Sequence, residues 1–412
     1  MDISSFIARR IAFNQQKSFS RFIIRLSIVA TIISVAAMII TLSFVNGFQE
    51  TVSSKIFSFS SHVRVEYRQP MKANIAEEVP IEANKTLQQN IRSLPQVSSI
   101  HAFATKYAIL KTSEEMEGVL LKGFDSSFKF QNLQSFLQPG GRWVQYNDST
   151  YSREIVVSAF TAEQLQMKLN DRVLIYFVRP DGSLRPDRLT IVGIYKTGIE
   201  EYDKTFAIGD IKLIRRLNNW EEFEIGGYEI FLKDYNQMDV ISNHIYNMED
   251  FPQLWETRTV KQIYPGIFDW LHIINYNGTI LIVIVTIIVI INFITCLIIL
   301  VLERIKMIGT LKAMGASNWF IQKIFLFHSA YITFTGIIVG VAISLGLLWL
   351  QAKTGFVKLK EAEYYMDTAA VRVDYWQVSA VVGGTLLLSI LILIIPSFIV
   401  RKIQPIKAIR FT

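Results

Sequence analysis

Four stretches of this chain carry no aspartate, glutamate, lysine or arginine and are mostly apolar: residues 26–49, 270–302, 324–352 and 375–400. A hydrocarbon core about 30 Å thick takes about 20 helical residues to cross. Each stretch is long enough, and a backbone inside hydrocarbon must pair its own polar groups, which a helix does. The chain therefore reads as an integral membrane α-helical protein with four transmembrane helices. About 220 residues of ordinary globular composition separate the first two spans, room for a large folded domain. Of the 412 residues, 51% are hydrophobic and 19% charged, against about a quarter charged in soluble domains. That balance excludes a disordered chain and a disulfide scaffold.

Charge placement gives orientation. Segments 1–25, 303–323 and 401–412 together hold 13 basic and two acidic residues, whereas 50–269 holds 25 basic and 29 acidic, and 353–374 four of each. Basic flanks stay in the cytoplasm, which places both termini inside and the large region outside. The net charge of +7 then reflects topology, with no nucleic-acid patch implied. The first span has the basic flank of a signal peptide, but its apolar run is too long and no small-residue cleavage pattern follows, so it reads as an uncleaved anchor. Cys296 is the only cysteine. It lies in the second span, so the outer domain folds without a disulfide.

The resulting layout is a cytoplasmic segment 1–25, spans at 26–49, 278–302, 324–350 and 378–400, and a periplasmic α+β domain at 50–269. A cytoplasmic segment 303–317, a short periplasmic loop 353–374 and a tail 401–412 complete it. Ile3, Phe6, Ile7, Ile11 and Phe13 fall on one side of a helical wheel with Arg9 and Arg10 beside them. This fits an interfacial amphipathic helix, and equally the charged flank of a span. In the outer region, alternation and β-branched content predict strands at 62–67, 100–111, 118–123, 154–159, 172–179, 188–195 and 228–232. Helices are expected at 86–94, at 161–169 with Thr161 as N-cap, at 208–217 and at 236–248. Asp181-Gly182 marks a turn between two strands. Gly336 and Gly340 give a small-x-x-x-small spacing for close helix packing, and Gly383-Gly384 is expected to act similarly.

Much catalytic chemistry is missing. There is no phosphate-cradling G-x-x-x-x-G-K-[ST] loop, no H-E-x-x-H and no G-x-S-x-G. The five histidines are scattered without ligand spacing, so neither a metal nor a catalytic residue is expected. No charged residue lies deep in a span, which argues against a proton relay or ion pathway. Asn292 and His328 are the polar candidates there, and interhelical hydrogen bonding accounts for them.

The informative segment follows the second span: Glu303-Arg304-Ile305-Lys306-Met307-Ile308-Gly309-Thr310-Leu311-Lys312-Ala313-Met314-Gly315-Ala316-Ser317. At 100° per residue, Met307, Ile308, Leu311 and Met314 share one arc, and Lys306, Gly309, Thr310 and Ala313 lie opposite. Gly315 suits a C-terminal stop and Ser317 the next N-cap. The expectation is a short amphipathic helix with one small, basic side open to another protein.

This run resembles the cytoplasmic coupling segment of the FtsX-like permease superfamily, the membrane subunits of type VII ABC transporters. The plan of one span, a large periplasmic domain and three further spans is similar to theirs, as is the closing Pro396-Ser397-Phe398 with Gln404-Pro405-Ile406-Lys407-Ala408-Ile409-Arg410. Val45-Asn46-Gly47-Phe48, Ser61-His62-Val63, Phe6-Ile7-Ala8-Arg9-Arg10 and Tyr364-Tyr365-Met366 resemble the lipoprotein-releasing branch. The resemblance implies no enzyme activity and no cofactor in this chain, with ATP and Mg bound by a separate cytoplasmic ATPase docked on Glu303, Arg304, Lys306, Gly309, Lys312 and Gly315. It implies a second permease copy or paralogue, lipoprotein substrates and a periplasmic carrier, in a bacterial inner membrane. Acyl chains would occupy an apolar cavity at a dimer interface, with Met38, Ile39, Leu42, Phe44 and Val45 facing Ile284, Ile288 and Ile291. Each of these side chains also fits plain packing or lipid contact. A carrier hook would include Arg179, Pro180, Asp181, Gly182, Leu184, Arg185 and Pro186, which also reads as a solvated hairpin. Efflux-type and signalling permeases of the same superfamily are the alternatives. Few residues before the first span count against the former, where the ATPase is usually fused, and the large outer domain counts against the latter. A membrane-anchored adhesion module would leave the coupling segment unexplained.

Overall fold

The structure is a computed structural model that describes residues 18–69, 77–147, 150–178 and 182–392. Most of the N-terminal amphipathic segment and the whole closing motif around Pro396 lie outside the described residues. In chain order the elements are α1 (Ser18–Phe59), β1 (Val63–Tyr67), β2 (Ile81–Glu82), α2 (Lys85–Ser93), β3 (Val97–Lys111), β4 (Met116–Phe124), β5 (Glu154–Ser158) and α3 (Ala159–Gln164). Next come β6 (Arg172–Val178), β7 (Leu184–Tyr195), α4 (Glu200–Thr205), β8 (Phe206–Asp210), α5 (Ile211–Asn218), β9 (Glu224–Ile225), β10 (Gly227–Leu232), α6 (Met238–Tyr246), β11 (Trp255–Thr259) and α7 (Val260–Ile263). The last elements among the described residues are α8 (Pro265–Glu303), α9 (Ile305–Ala313), α10 (Asn318–Thr354), α11 (Glu361–Tyr364) and α12 (Tyr375–Ile392). Four of these, α1, α8, α10 and α12, are long and apolar enough to cross a membrane.

The chain divides into two compact units. One comprises the residues up to Glu50, Leu271–Lys358 and those from Thr368 onward; the other comprises Thr51–Trp270 and Leu359–Asp367.

In the second unit nine strands form one sheet in the order β11-β1-β10-β3-β4-β8-β5-β7-β6. Long β3 uses one edge twice: its first half pairs with β10, as in Phe103 opposite Gly227, and its last residues pair with β6, as in Ala108 opposite Phe177. The six strands from β3 round to β6 therefore close on themselves, which removes two exposed edges. Strands β10, β1 and β11 extend the sheet from β3. The β4–β8 and β5–β7 pairs are parallel. Every residue of β10 is buried, the pattern of a strand covered on both faces.

One cluster of charges inside this sheet joins three strands. Glu229 on β10 is fully buried, 2.9 Å from Arg64 on β1 and 2.8 Å from Lys122 on β4. Lys122 also donates to the Phe59 carbonyl at the end of α1, and the Arg64 guanidinium lies over the Phe103 ring. Next to them, His62 accepts a hydrogen bond from the Leu232 N–H through Nδ1 at 2.9 Å. Burial pushes its imidazole down to about 4, with Asp234 pulling the other way. Between the usual histidine range and that value the unfolded chain binds the extra proton, so stability rises with pH. Full-chain protein in detergent is expected to lose about 3 kcal/mol from this group between pH 7 and pH 4. In thermal unfolding followed against pH, His62→Gln is expected to flatten that slope; an unchanged slope assigns the loss elsewhere.

The segment Leu359–Asp367 is an integral part of this unit, although the sequence reading placed it in a separate loop. Lys55 donates to the Tyr365 carbonyl at 2.6 Å, Lys196 pairs with Glu361, and the Tyr365 hydroxyl donates to Glu201. The Tyr365 ring meets Trp270 edge-on at 5.2 Å, and Met366 is buried.

Several local expectations are corrected. The helix expected at 161–169 begins at Ala159, because the Ser158 hydroxyl accepts from the Thr161 N–H and caps it instead. The helix expected from 208 begins at Ile211, after strand β8; Asp210 caps it by accepting from the Lys212 N–H. The connection expected at 180–187 is shorter, since Leu184 already pairs with Val178. Trp255–Thr259, unassigned from sequence, pairs along β1.

In the first unit the packing follows the small residues on α10. A Cβ on Gly336 would lie 2.7 Å from the Thr31 Cβ, and one on Gly340 would lie 3.0 Å from the Ile32 carbonyl oxygen. Both admit α1, and Val35 and Ile39 bury against Ile337 and Leu348. Ser27 donates to Asn292 at 3.0 Å, the interhelical bond expected of that asparagine. Cys296 is buried. Gly383 and Gly384 depart from expectation: nothing lies within 4 Å of a Cβ built on either.

Candidate substrate cleft and coupling helix

Helix α8 is rich in isoleucine and valine on every side, so its sequence does not select a buried face. The structure selects Ile282, Thr286, Val289 and Phe293. Met38 packs on Val289, Phe293 and Leu297, with Ile392 of α12 completing the cluster. Ile284, Ile288 and Ile291 point the other way and are 52–58% exposed. Within this chain they do not line the same space as Met38 and Leu42. Ile39 is buried against α10 instead. Phe44 is half-buried, and Val45 lies against Gly278 of α8.

A cleft lies between α1, α8 and α12. It has a volume of about 350 Å³ and is lined by Met38, Leu42, Thr286, Val289, Ala380 and Gly384, among others. Its two threonines turn their hydroxyls onto their own helices: Thr286 donates to the Ile282 carbonyl and Thr385 to the Val381 carbonyl. The walls therefore present methyl and methylene groups. Polarity is confined to one end, where the Asn46 amide donates to the Gln377 side chain at 2.6 Å. There α1 also crosses the segment that enters α12. A Cβ on Gly47 would lie 2.4 Å from the Ala370 carbonyl oxygen. The Arg372 N–H donates to the Ser43 carbonyl, and its guanidinium pairs with Glu50. Sequence reasoning missed Gln377, Ala380 and Gly384; the signal was a paired glycine opposite no small partner.

The segment after α8 folds as expected. Glu303 ends α8, and Arg304 is the non-helical joint before α9. Gly315 adopts φ +89°, which glycine reaches without strain. The Ala316 N–H then bonds the Leu311 carbonyl and the Gly315 N–H the Lys312 carbonyl, a Schellman stop. Ser317 caps α10 by accepting from the Phe320 N–H. Ile308 is buried with Leu300, Val301, Ile321 and Phe325, and Met307, Leu311 and Ala316 pack on them. Met314, expected on that side, is 73% exposed, because the helix has already ended at Ala313. Gly309 is buried rather than open. Lys306, Thr310, Ala313 and Gly315 form the exposed side, and Lys312 is half-buried.

In the large unit, β5 pairs with β7 only from Thr190 onward. The preceding β7 residues pair with β6, which pairs in turn with β3 as far as Phe177, so Arg185 and Pro186 lie along the sheet and only the Leu184–Val178 pair reaches beyond it. Gly182 lies in the turn between β6 and β7 at φ +80°. Arg179, Pro180 and Asp181 lie outside the described residues. Among the described residues no group of three or more His, Cys, Asp or Glu side chains is placed to hold a metal ion.

Four apolar helices, an α+β unit inserted between the first two and an amphipathic helix between the second and third define a polytopic membrane protein of permease type. Comparison with known families agrees. The MacB-like periplasmic core domain matches residues 26–239 and the FtsX-like permease C-terminal domain residues 279–405. The chain belongs to the FtsX-like family of ABC transporter permeases. It is 22% identical to the lipoprotein-releasing system transmembrane protein LolC of Neisseria meningitidis serogroup B, over 96% of both chains. It is 21% identical to the LolE protein of that system in Haemophilus influenzae, over 98% of both. It is also similar to the extracellular domain of the noncanonic ABC-type transporter YknZ from Gram-positive bacteria. That match has 12% identity and a TM-score of 0.32, and covers 48% of this chain and 99% of the other.

Proposed function

We infer that this chain is the membrane subunit of an ABC transporter that extracts lipoproteins from the bacterial inner membrane and passes them to a periplasmic carrier. The observation that carries the reading is α9, whose apolar side is anchored on α8 and α10 while Lys306, Thr310 and Ala313 stay open. Small residues beside a cation suit the close approach of a second protein. That protein would be a cytoplasmic ATPase holding ATP and Mg, while the permease pairs with a second copy or a paralogue. Both termini and α9 would be cytoplasmic, and the hairpin end at 182–186 would hold the carrier. The energetic demand fits: acyl chains contribute about 0.8 kcal/mol per buried CH₂, so extracting three of them costs tens of kcal/mol. Mechanotransmission, in which nucleotide-driven closure moves the helices without the substrate entering the cytoplasm, is the proposed route.

The test is gentle purification from native membranes with mass spectrometry of what copurifies. The full chain is expected to bring down a small ATPase and acylated lipoproteins. Lys306→Glu with Lys312→Glu is expected to lose at least tenfold of the ATPase while retaining lipoproteins. An ATPase without any lipoprotein would instead support an efflux or signalling role, and unchanged ATPase recovery in the variant would remove α9 as its dock.

A further inference from the structure

We propose that Leu359–Asp367 is a releasable latch, which plugs the Glu361 carboxylate into a cationic socket of the large unit and opens by itself while the sheet stays folded. The socket is built for a carboxylate. Lys196, just after β7, pairs with Glu361 at 2.6 Å, and Lys55 on α1 donates to the Tyr365 carbonyl at 2.6 Å. Gly198 gives the plug room. A Cβ there would lie 2.6 Å from Glu361 Oε1 and 2.9 Å from Lys55 Nζ. Asp203 fixes this loop, its carboxylate accepting from the Thr197 N–H, the Thr197 hydroxyl and the Gly198 N–H.

The closed latch is held against opposing forces. Of the described residues in the segment only Met366 is buried, so little apolar surface holds it down. The Lys196 and Glu361 side chains are 51% and 34% exposed, and a salt bridge so open to water adds little. The charges of Glu361, Asp203 and Asp367 all bear on Lys55. Burial raises the Asp203 carboxyl against the hydrogen bonds it accepts, and the nearby Glu361 charge adds to the rise. The plug is thus repelled by the residue that shapes its socket. Tyr365 takes φ +57°, a left-handed conformation that costs a bulky side chain energy, and the open segment need not bear it. The stems, in contrast, are firmly tied. Buried Gln351 donates to the Val357 and Ala369 carbonyls and accepts from the Val357 N–H, and Lys358 bridges to Thr368. Release is therefore confined to the tip.

The latch rests on the transporter reading only for what drives it. Amide hydrogen exchange of the full chain in detergent is the test. The reporters are Leu359, Tyr364 and Tyr365, whose N–H groups bond to carbonyls within the segment. They are expected to exchange through a local opening that low denaturant leaves unchanged, while β3 and β10 amides follow unfolding of the whole unit. Lys55→Met is expected to speed the reporters at least tenfold and leave β3 and β10 unchanged. Lys55→Arg, which keeps the charge, is expected to stay near the native rate. If Lys55→Met does not fold, the denaturant dependence of the native chain decides. Reporters that exchange in step with β10 overturn the proposal, because the segment then opens only when the sheet unfolds. Where the ATPase copurifies, magnesium and a non-hydrolysable ATP analogue are expected to change the reporter rates at least fivefold and spare β10. Reporters unchanged by nucleotide overturn the latch as a moving part. Failure to recover any ATPase counts against the proposed function instead, and the native chain and its variants still decide the latch.

Discussion

Glu229→Gln is expected to cost the full chain about 3–5 kcal/mol, the usual effect of removing one partner from a buried ion cluster. The carboxylate is fully buried between two cations, and its loss takes from both the carboxylate they contact directly, leaving only the weaker pull of Glu78 and, for Arg64, Glu66. Burial alone would raise the Glu229 carboxyl, but Lys122 and Arg64 more than offset it and hold it below the usual carboxylate range. Its stabilising share is therefore present above about pH 4.3, the unfolded value. That share is lost as pH falls through the lower folded value. The two cations differ. Burial pushes the Lys122 amine down despite Glu229, so its charge works against the fold at neutral pH. Lys122→Met is thus expected to be near neutral, leaving a one-to-one Arg64–Glu229 pair. Thermal unfolding of the three proteins in one detergent decides it. A tolerated Glu229→Gln, or equal losses in both variants, would contradict this account.

Gly47→Val is expected to destabilise the chain by about 1–3 kcal/mol or more, the range for overpacking. The atom it meets is the Ala370 carbonyl oxygen, part of a backbone fixed by the Arg372–Ser43 hydrogen bond and the Arg372–Glu50 pair. Neither side can yield by a rotamer change. Gly383→Ala is the matched control, since its added methyl group meets nothing within 4 Å, and no loss is expected there. Equal unfolding temperatures for the two variants would show that the crossing of α1 with this segment is loose.

These two sites also mark where the sequence was informative and where it was not. The four spans were legible because absence of charge over twenty residues is a local property with a single physical meaning. The stop at Gly315 and the start at Ser317 were legible for the same reason, since caps depend on two or three neighbours. The rotation of α8 was not, because an all-apolar helix carries no periodicity that would single out Val289 and Phe293 as its buried side. Nor was the burial of Arg64, Lys122 and Glu229. Charges within alternating strands read as solvent-facing until β10 is seen to be covered on both faces. Closure of β6 onto β3 is a pairing across about 65 residues of sequence, and no local pattern encodes it. The Asn46-Gly47 pair was noticed as a motif, but its use at a helix crossing depended on residues more than 300 positions away.

The placement of Leu359–Asp367 has a consequence for how the protein is made. The unit built on Thr51–Trp270 is discontinuous in sequence, and its last piece is synthesised only after Leu271–Lys358 has left the ribosome. At roughly 5–20 residues per second that interval is about 4–18 s, long compared with the folding of most domains. During it the sheet stands without the partners that Tyr365 and Glu361 give to Lys55, Glu201 and Lys196. Completion of the large unit is thereby tied to insertion of the third span, and a chain that stalls in the membrane displays an unfinished domain to the proteases that remove such products.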